Sequence, residues 1–169
     1  LGGLGRAAER ADLRPAERSA DLDADPDADQ HPDEHPDEHP GVPLFIDSGG
    51  FALLFEGSKV VKSEHTFDIV TKSGDRITPS QVLERQMHHA EIGATLDFPI
   101  PPGCESKRER NRRFRATLAN AEWALCNNRR ADLLLYASLQ CWDADSARQA
   151  ARTYAQMRHH DRAFDGIAI

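Results

Sequence analysis

Segments typical of β-strands and of α-helices alternate along residues 43–169, and this alternation restricts the possible folds more than any other feature. Short apolar runs predict strands at residues 43–47, 94–98, 132–139 and 164–169. Longer periodic segments predict helices from Thr78 to Gly93, from Ser106 to Asn127 and from Asp145 to His159. This order is typical of a parallel α/β sheet, in which ligands bind at the carboxyl ends of the strands.

The charge of the chain is divided unevenly between two regions. Residues 1–40 contain 12 Asp/Glu and 4 Arg, a net charge of −8, whereas residues 41–169 contain 16 Asp/Glu and 17 Lys/Arg, a net charge of +1. The first region is rich in Ala, Asp, Pro and His and has few large apolar residues, so we predict a disordered acidic tail. Residues 41–169 form the predicted folded domain, and the acidic balance argues against nucleic-acid binding only for the tail. The chain has no apolar run long enough for a membrane span and no signal-peptide pattern at its N-terminus, so we expect a cytoplasmic protein without membrane contact.

Local signals add detail to the segment between the first two predicted strands. Thr78 is a predicted N-cap, with Pro79 at the first helical position and Gln81 as its capping-box partner. Gly93 is predicted to end this helix. Residues 66–71 and 76–78 flank a polar turn and predict a small hairpin.

Polar side chains follow three of the predicted strands. The first strand ends at Asp47, the second at Asp97 and the third near Gln140, so we expect these groups to converge at one edge of the sheet. Two carboxylates can accept from ring N–H and amino groups, and the amide can both donate and accept. The alternative is that Asp47 and Asp97 only cap the elements that follow them.

The residues directly after Asp47 fit a ligand site as well. Gly49 and Gly50 allow a close approach of the backbone to a ligand, and Phe51 could stack on a flat ring. The pattern therefore predicts a pocket for a planar, amide-bearing heterocycle such as guanine.

A basic segment at residues 105–130 indicates a possible contact with nucleic acid. It contains eight Lys/Arg and three Glu, and we take Arg108, Arg112 and Arg115 as candidate phosphate contacts. The alternative is that these charges form the ordinary solvated face of a helix.

Several motifs follow one another in order along residues 43–169. They are Phe45-Ile46-Asp47-Ser48-Gly49-Gly50-Phe51, Ile77-Thr78-Pro79-Ser80, Gly93-Ala94-Thr95-Leu96-Asp97-Phe98, the Arg-rich helix with Trp123, Ala137-Ser138-Leu139-Gln140, and the terminal run from Phe164 to Ile169. Together they resemble the tRNA-guanine transglycosylase family. The resemblance implies part of a (β/α)8 TIM-barrel-like domain that exchanges guanine in nucleic acid for a 7-deazaguanine.

The resemblance also implies roles for individual residues. Asp47 would be the catalytic acid/base residue beside the base, and Phe51 would stack on the base. Asp97 and Gln140 would bind its polar edge, and Ser48, Gly49 and Gly50 would line the pocket. We further expect Asp47 and Asp97 to form a buried pair that raises the pKa of one carboxyl.

The sequence departs from the family pattern in several ways, and the activity, the substrate and the assembly are therefore left open. The nucleophilic Asp and the zinc site of the family are expected beyond Ile169, so this chain alone should be inactive and should hold no metal. Phe98-Pro99 replaces the usual Glu-Cys after the second Asp. The substrate is tRNA or, in a related branch, DNA, and a non-catalytic subunit that binds nucleic acid or a partner is the other alternative. A homodimer or heterodimer is expected for the full-length form.

Overall fold

The computed structural model describes residues 42–103 and 106–169, and the tail predicted over residues 1–40 lies outside that part. The elements in chain order are strand β1 (Phe45–Ile46), a 3-10 turn (Gly50–Leu54), strands β2 (Lys59–Lys62), β3 (Phe67–Val70) and β4 (Arg76–Ile77), helix α1 (Pro79–His89), strand β5 (Ile92–Ala94), helix α2 (Lys107–Asn127), strand β6 (Leu134–Ser138), helix α3 (Ala144–Gln156) and strand β7 (Gly166–Ala168).

Four of the strands form a parallel sheet in the order β1-β5-β6-β7. Ile46 lies beside Gly93, and Gly93 lies beside Leu135, so the three strands share one register. This sheet and its connecting helices confirm the predicted α/β class. Each strand pairs with the next parallel strand along the chain, which places their carboxyl ends at one edge in chain order.

A second, antiparallel sheet has the order β2-β3-β4 and lies between β1 and α1 in the chain. Ile69 pairs with Ile77, which confirms the predicted hairpin. Strand β2 was not predicted from the sequence. Its apolar residues are only Val60 and Val61, flanked by Lys59 and Lys62, so it carries little hydrophobic signal.

Helix α1 begins at the predicted residue but ends before the predicted one. Thr78 accepts from the Gln81 N–H, and the Gln81 side chain accepts from the Thr78 N–H, so the capping box is confirmed. The prediction that Gly93 ends the helix is wrong: the helix ends at His89, where Ala90 turns into extended backbone. Gly93 instead lies in β5, and the strand predicted at residues 94–98 is shifted to Ile92–Ala94.

The helices cover one face of the parallel sheet. Leu83 of α1 and Ala124 of α2 pack with Leu135 of β6, and Tyr154 of α3 packs with Ala137 of the same strand. Alternation along a strand directs Leu135 and Ala137 to this face and Leu134 to the other. Leu134 is 43% exposed, so the second face of the sheet is open to solvent at this strand.

Asn120 joins the two sheets through helix α2. Its side chain is fully buried, accepts from the N–H of Phe67 at 2.9 Å, and donates to the carbonyls of Phe67 at 2.9 Å and Leu96 at 3.3 Å. One amide therefore satisfies backbone groups of β3 and of the segment after β5, where the regular strand pairing has no partner for them.

We expect Asn120→Ala to lower the free energy of unfolding by about 2–4 kcal/mol, because it leaves buried backbone groups without a partner. Urea unfolding of the full chain measures this change. Asn127→Ala is the matched control on the same helix, since the Asn127 side chain is half-buried and donates only to the Trp123 carbonyl. Equal losses in the two variants would contradict the role assigned to Asn120.

Candidate functional site

The predicted site residues follow three adjacent strands of the parallel sheet. Asp47 comes directly after β1, Asp97 follows β5, and Gln140 follows β6. Since these strands are neighbours and run in parallel, their carboxyl ends lie at one edge. The chain thus places two carboxylates and one amide at the position where α/β sheets bind ligands.

Asp97 is the centre of a hydrogen-bonded cluster at this edge. It is only 6% exposed. Its Oδ1 accepts from the Ser48 hydroxyl at 2.5 Å, and its Oδ2 accepts from the Gln140 amide at 2.5 Å. The Gln140 Oε1 in turn accepts from the Ile100 N–H at 3.1 Å. The structure therefore brings Ser48, Asp97 and Gln140 together, each from a different strand end.

The turn after β1 fits tightly over Asp97. Gly49 has a φ of 75°, a left-handed conformation that glycine adopts without strain. A Cβ on Gly50 would lie 2.6 Å from the Asp97 carbonyl oxygen and would also collide with the carboxylate. The Gly50 N–H donates to the Ser48 hydroxyl at 3.1 Å. The two glycines therefore allow the turn to pass close enough for Ser48 to reach Asp97.

Burial raises the pKa of Asp97 above its ordinary value, and the negative charge of Asp47 raises it further. The hydrogen bonds from Ser48 and Gln140 act in the opposite direction, because both stabilise the ionised carboxylate. A raised carboxyl pKa was expected for this pair, but desolvation is the main cause. The expectation that both carboxyls are buried is wrong, since Asp47 is exposed.

Asp47 borders an open groove that runs along β1. The groove has a volume of about 1170 Å³, and its walls come from β1 and from α1, including Ile46, Val82 and Arg85. Phe51 follows two residues after Gly49, which lines the groove, and is 64% exposed. Its ring lies edge-on to the ring of Phe55, with 5.6 Å between the two centroids. Both residues that the resemblance places beside a base are thus accessible from solvent.

The candidate phosphate contacts occupy one side of α2, because residues spaced by three and four positions are neighbours on a helix. Arg108 and Arg115 are exposed. Arg112 donates to the Val60 carbonyl at 2.6 Å and lies 3.4 Å from Glu109. Its guanidinium therefore binds the protein itself, although Arg112 is exposed like the other two arginines.

Gln86 of α1 binds the strands that carry the site residues, and this role was not predicted from the sequence. It is 1% exposed, and its amide donates to the carbonyls of Ile46 at 3.1 Å and Ala94 at 2.8 Å, close to the ends of β1 and β5. A Cβ on Gly93 would lie 2.7 Å from the Gln86 amide carbon, which explains the glycine in this strand. The available signal was a polar residue on the apolar side of α1, between Leu83 and Ala90.

Comparisons with known proteins identify no family for this chain. No protein-family model matches it, and no curated protein matches it. Within the described residues, no group of three or more His, Cys, Asp or Glu side chains is placed to hold a metal ion. In the same part of the chain, no helix has the length and hydrophobicity needed to cross a membrane.

The raised pKa of Asp97 predicts a pH dependence of stability. The native state keeps this proton to a higher pH than the unfolded chain, whose Asp titrates near 3.8. The free energy of unfolding should therefore be lowered as the pH rises through the native pKa of Asp97, by about 1.4 kcal/mol for each pKa unit between the two states. Urea unfolding of the full chain between pH 4 and pH 7, with Asp97→Asn as reference, measures this contribution.

Asp132→Asn is a control for which the effect of pH on stability should have the opposite direction. Asp132 is exposed and its hydrogen bond with Arg130 lowers its pKa, so its contribution to stability is lost as the pH falls. If the difference in stability between the original chain and Asp97→Asn did not change with pH, the prediction that native Asp97 keeps its proton to a higher pH would be refuted.

Proposed function

We propose that this chain contains the base-binding part of a tRNA-guanine transglycosylase-like protein, which replaces guanine in nucleic acid with a 7-deazaguanine. The observation that carries the proposal is the hydrogen-bonded cluster of Ser48, Asp97 and Gln140 at the carboxyl ends of three adjacent parallel strands. Each of the three residues matches a motif of the family at that position. The proposed location is the cytoplasm.

The cluster retains hydrogen-bonding capacity for a base. Each Asp97 oxygen accepts one hydrogen bond from a neighbouring side chain and has capacity for a further donor, which suits the adjacent ring N–H and amino group of guanine. Gln140 uses one of its two amide hydrogens for Asp97, so the second can donate to a carbonyl of the base. An exposed Phe51 supplies an aromatic face for stacking, as in sites that hold flipped bases.

Asp47 has the environment of a proton-transfer group in this proposal. It is exposed, directly precedes Ser48, and its charge acts on Asp97. A carboxyl group beside the leaving guanine can supply the proton that base exchange moves when it is protonated, and can accept that proton when it is ionised. The nucleophilic Asp and the zinc site of the family would come from outside residues 43–169.

We further propose that the parallel sheet is part of a (β/α)8 barrel. The sequential strand order and the helices on one face support this architecture. Phe45, Ile92 and Leu134 share one register, with Phe45 46% and Leu134 43% exposed on the side away from the helices. In a closed barrel these side chains would form a layer of the interior.

The nucleic acid would be tRNA or DNA, and the exposed Arg108 and Arg115 on α2 favour contact with a phosphate backbone. A non-catalytic subunit that holds a base without exchanging it is the second candidate. Replacement of the usual Glu-Cys by Phe98-Pro99 favours that candidate, since Phe98 is fully buried and brings no polar group to the site. Binding and exchange are therefore measured separately.

Calorimetry with guanine and the full chain tests the proposal. Asp97→Ala and Gln140→Leu should each weaken guanine binding by about ten- to a hundredfold, because each removes hydrogen bonds to a polar ligand in a buried site. Hypoxanthine, which lacks the exocyclic amino group, should bind more weakly than guanine. Asp132→Ala, which removes an exposed carboxylate before the amino end of β6, at the opposite end of that strand from Gln140, is the matched control.

Unchanged guanine affinity in both site variants would reject the base-binding role of this cluster. Equal binding of guanine and hypoxanthine would argue against recognition through the amino group. Transfer of labelled guanine in tRNA or DNA by a longer form of the protein separates the enzyme from the non-catalytic candidate.

A further inference from the structure

A pair of buried hydroxyl residues joins β5 and β6 just before the site residues. The Thr95 hydroxyl accepts from the Ser138 N–H at 3.1 Å, and the Ser138 hydroxyl donates to the Thr95 carbonyl at 2.6 Å. Thr95 is 1% and Ser138 is 5% exposed. Ser138 therefore donates twice to Thr95, once from its backbone N–H and once from its hydroxyl, and the two hydrogen bonds join the ends of β5 and β6.

The position of this pair matters because the regular strand pairing ends beside it. The paired residues of β5 and β6 run from Ile92 with Leu134 to Ala94 with Tyr136. Asp97 lies two residues after Thr95, and Gln140 lies two residues after Ser138. The Thr95–Ser138 pair thus continues the joining of β5 and β6 past the end of the backbone ladder, two residues before Asp97 and Gln140.

Helix α3 also binds the end of β6, through a hydrogen bond to Ser138. The hydroxyl of Tyr154 donates to the Ser138 carbonyl at 2.6 Å, and Tyr154 is 3% exposed. Burial raises the pKa of this phenol, and the charge of Asp97 raises it further, so Tyr154 stays a protonated donor within the electrostatic reach of Asp97. Three buried hydroxyl residues, from two strand ends and a helix, are therefore hydrogen-bonded together just before the site residues.

We infer that Thr95 and Ser138 are positioning residues, which hold the Asp97 carboxylate against the Gln140 amide and so set the geometry of the base-binding edge. Neither residue needs to touch the ligand, since each acts through the site residue two positions later. The part of this inference that concerns ligand affinity rests on the proposed function. The part that concerns the contact between Asp97 and Gln140 rests on the geometry of the chain alone.

The test measures the pKa of Asp97 by carbon-13 NMR of its carboxyl group in the full chain. The hydrogen bond from Gln140 lowers this pKa, so its weakening should raise the pKa. Thr95→Val and Ser138→Ala should each raise the pKa of Asp97 by up to about one unit, in the same direction as direct removal of the donor in Gln140→Leu. Thr95→Ser keeps the hydroxyl and should restore the original pKa.

Ser63→Ala is the matched control, because the Ser63 hydroxyl donates at 2.6 Å to another buried carboxylate, Asp68, in the antiparallel sheet. It should lower stability without changing the pKa of Asp97. Two independent substitutions keep the test decisive if one variant does not fold. An unchanged pKa in the folded variant, with a shift in Gln140→Leu, would overturn the positioning role.

Guanine calorimetry on the same variants separates this inference from the proposed function. If Thr95→Val raises the pKa of Asp97 and weakens guanine binding about tenfold, both are supported. If the pKa rises but no form of the chain binds guanine, the proposed function fails and the positioning role stands. If guanine binds and Thr95→Val changes neither quantity, the positioning role fails and the proposed function stands.

Discussion

The desolvation of the Asp97 carboxylate is the interaction on which the arrangement of the site depends. A carboxylate that is 6% exposed needs donors from the protein, and Ser48 and Gln140 supply one to each oxygen. Ser48 can reach only because Gly50 has no side chain where the turn crosses Asp97. The glycine turn, the amide after β6 and the buried acid are therefore one unit, and a change in any of them alters the other two.

Buried polar side chains also carry much of the scaffold around this unit. Gln86 joins the ends of β1 and β5, and Asn120 joins α2 to both sheets. Both amides bind backbone groups at or just after the ends of strands, and the strands are only two to five residues long. Short strands leave many backbone groups unpaired, so side chains complete the hydrogen bonding that a longer ladder would provide.

The sequence predicted the features that depend on local patterns. The capping box at Thr78, the strand–helix order and the convergence of Asp97 with Gln140 follow from spacing and from the geometry of parallel sheets. It did not predict β2, the end of α1 or the exposure of Asp47, because these depend on contacts between distant segments. Gly93 shows why: it was read as a helix end, yet it is explained by the Gln86 side chain that lies against it.

Two buried carboxylates in this chain have different electrostatic environments, and the difference bears on function. Asp68 is 2% exposed and lies 3.3 Å from the guanidinium of Arg76, so its charge is balanced within the antiparallel sheet. Ser48 and Gln140, which bind Asp97, are neutral, and the nearby Asp47 adds negative charge. A buried acid without a cationic partner lowers stability, and such groups occur more often at functional sites than in structural networks. A ligand with several N–H donors would stabilise that charge, which is the physical argument for placing the proposed guanine-type base at Asp97 and not at Asp68.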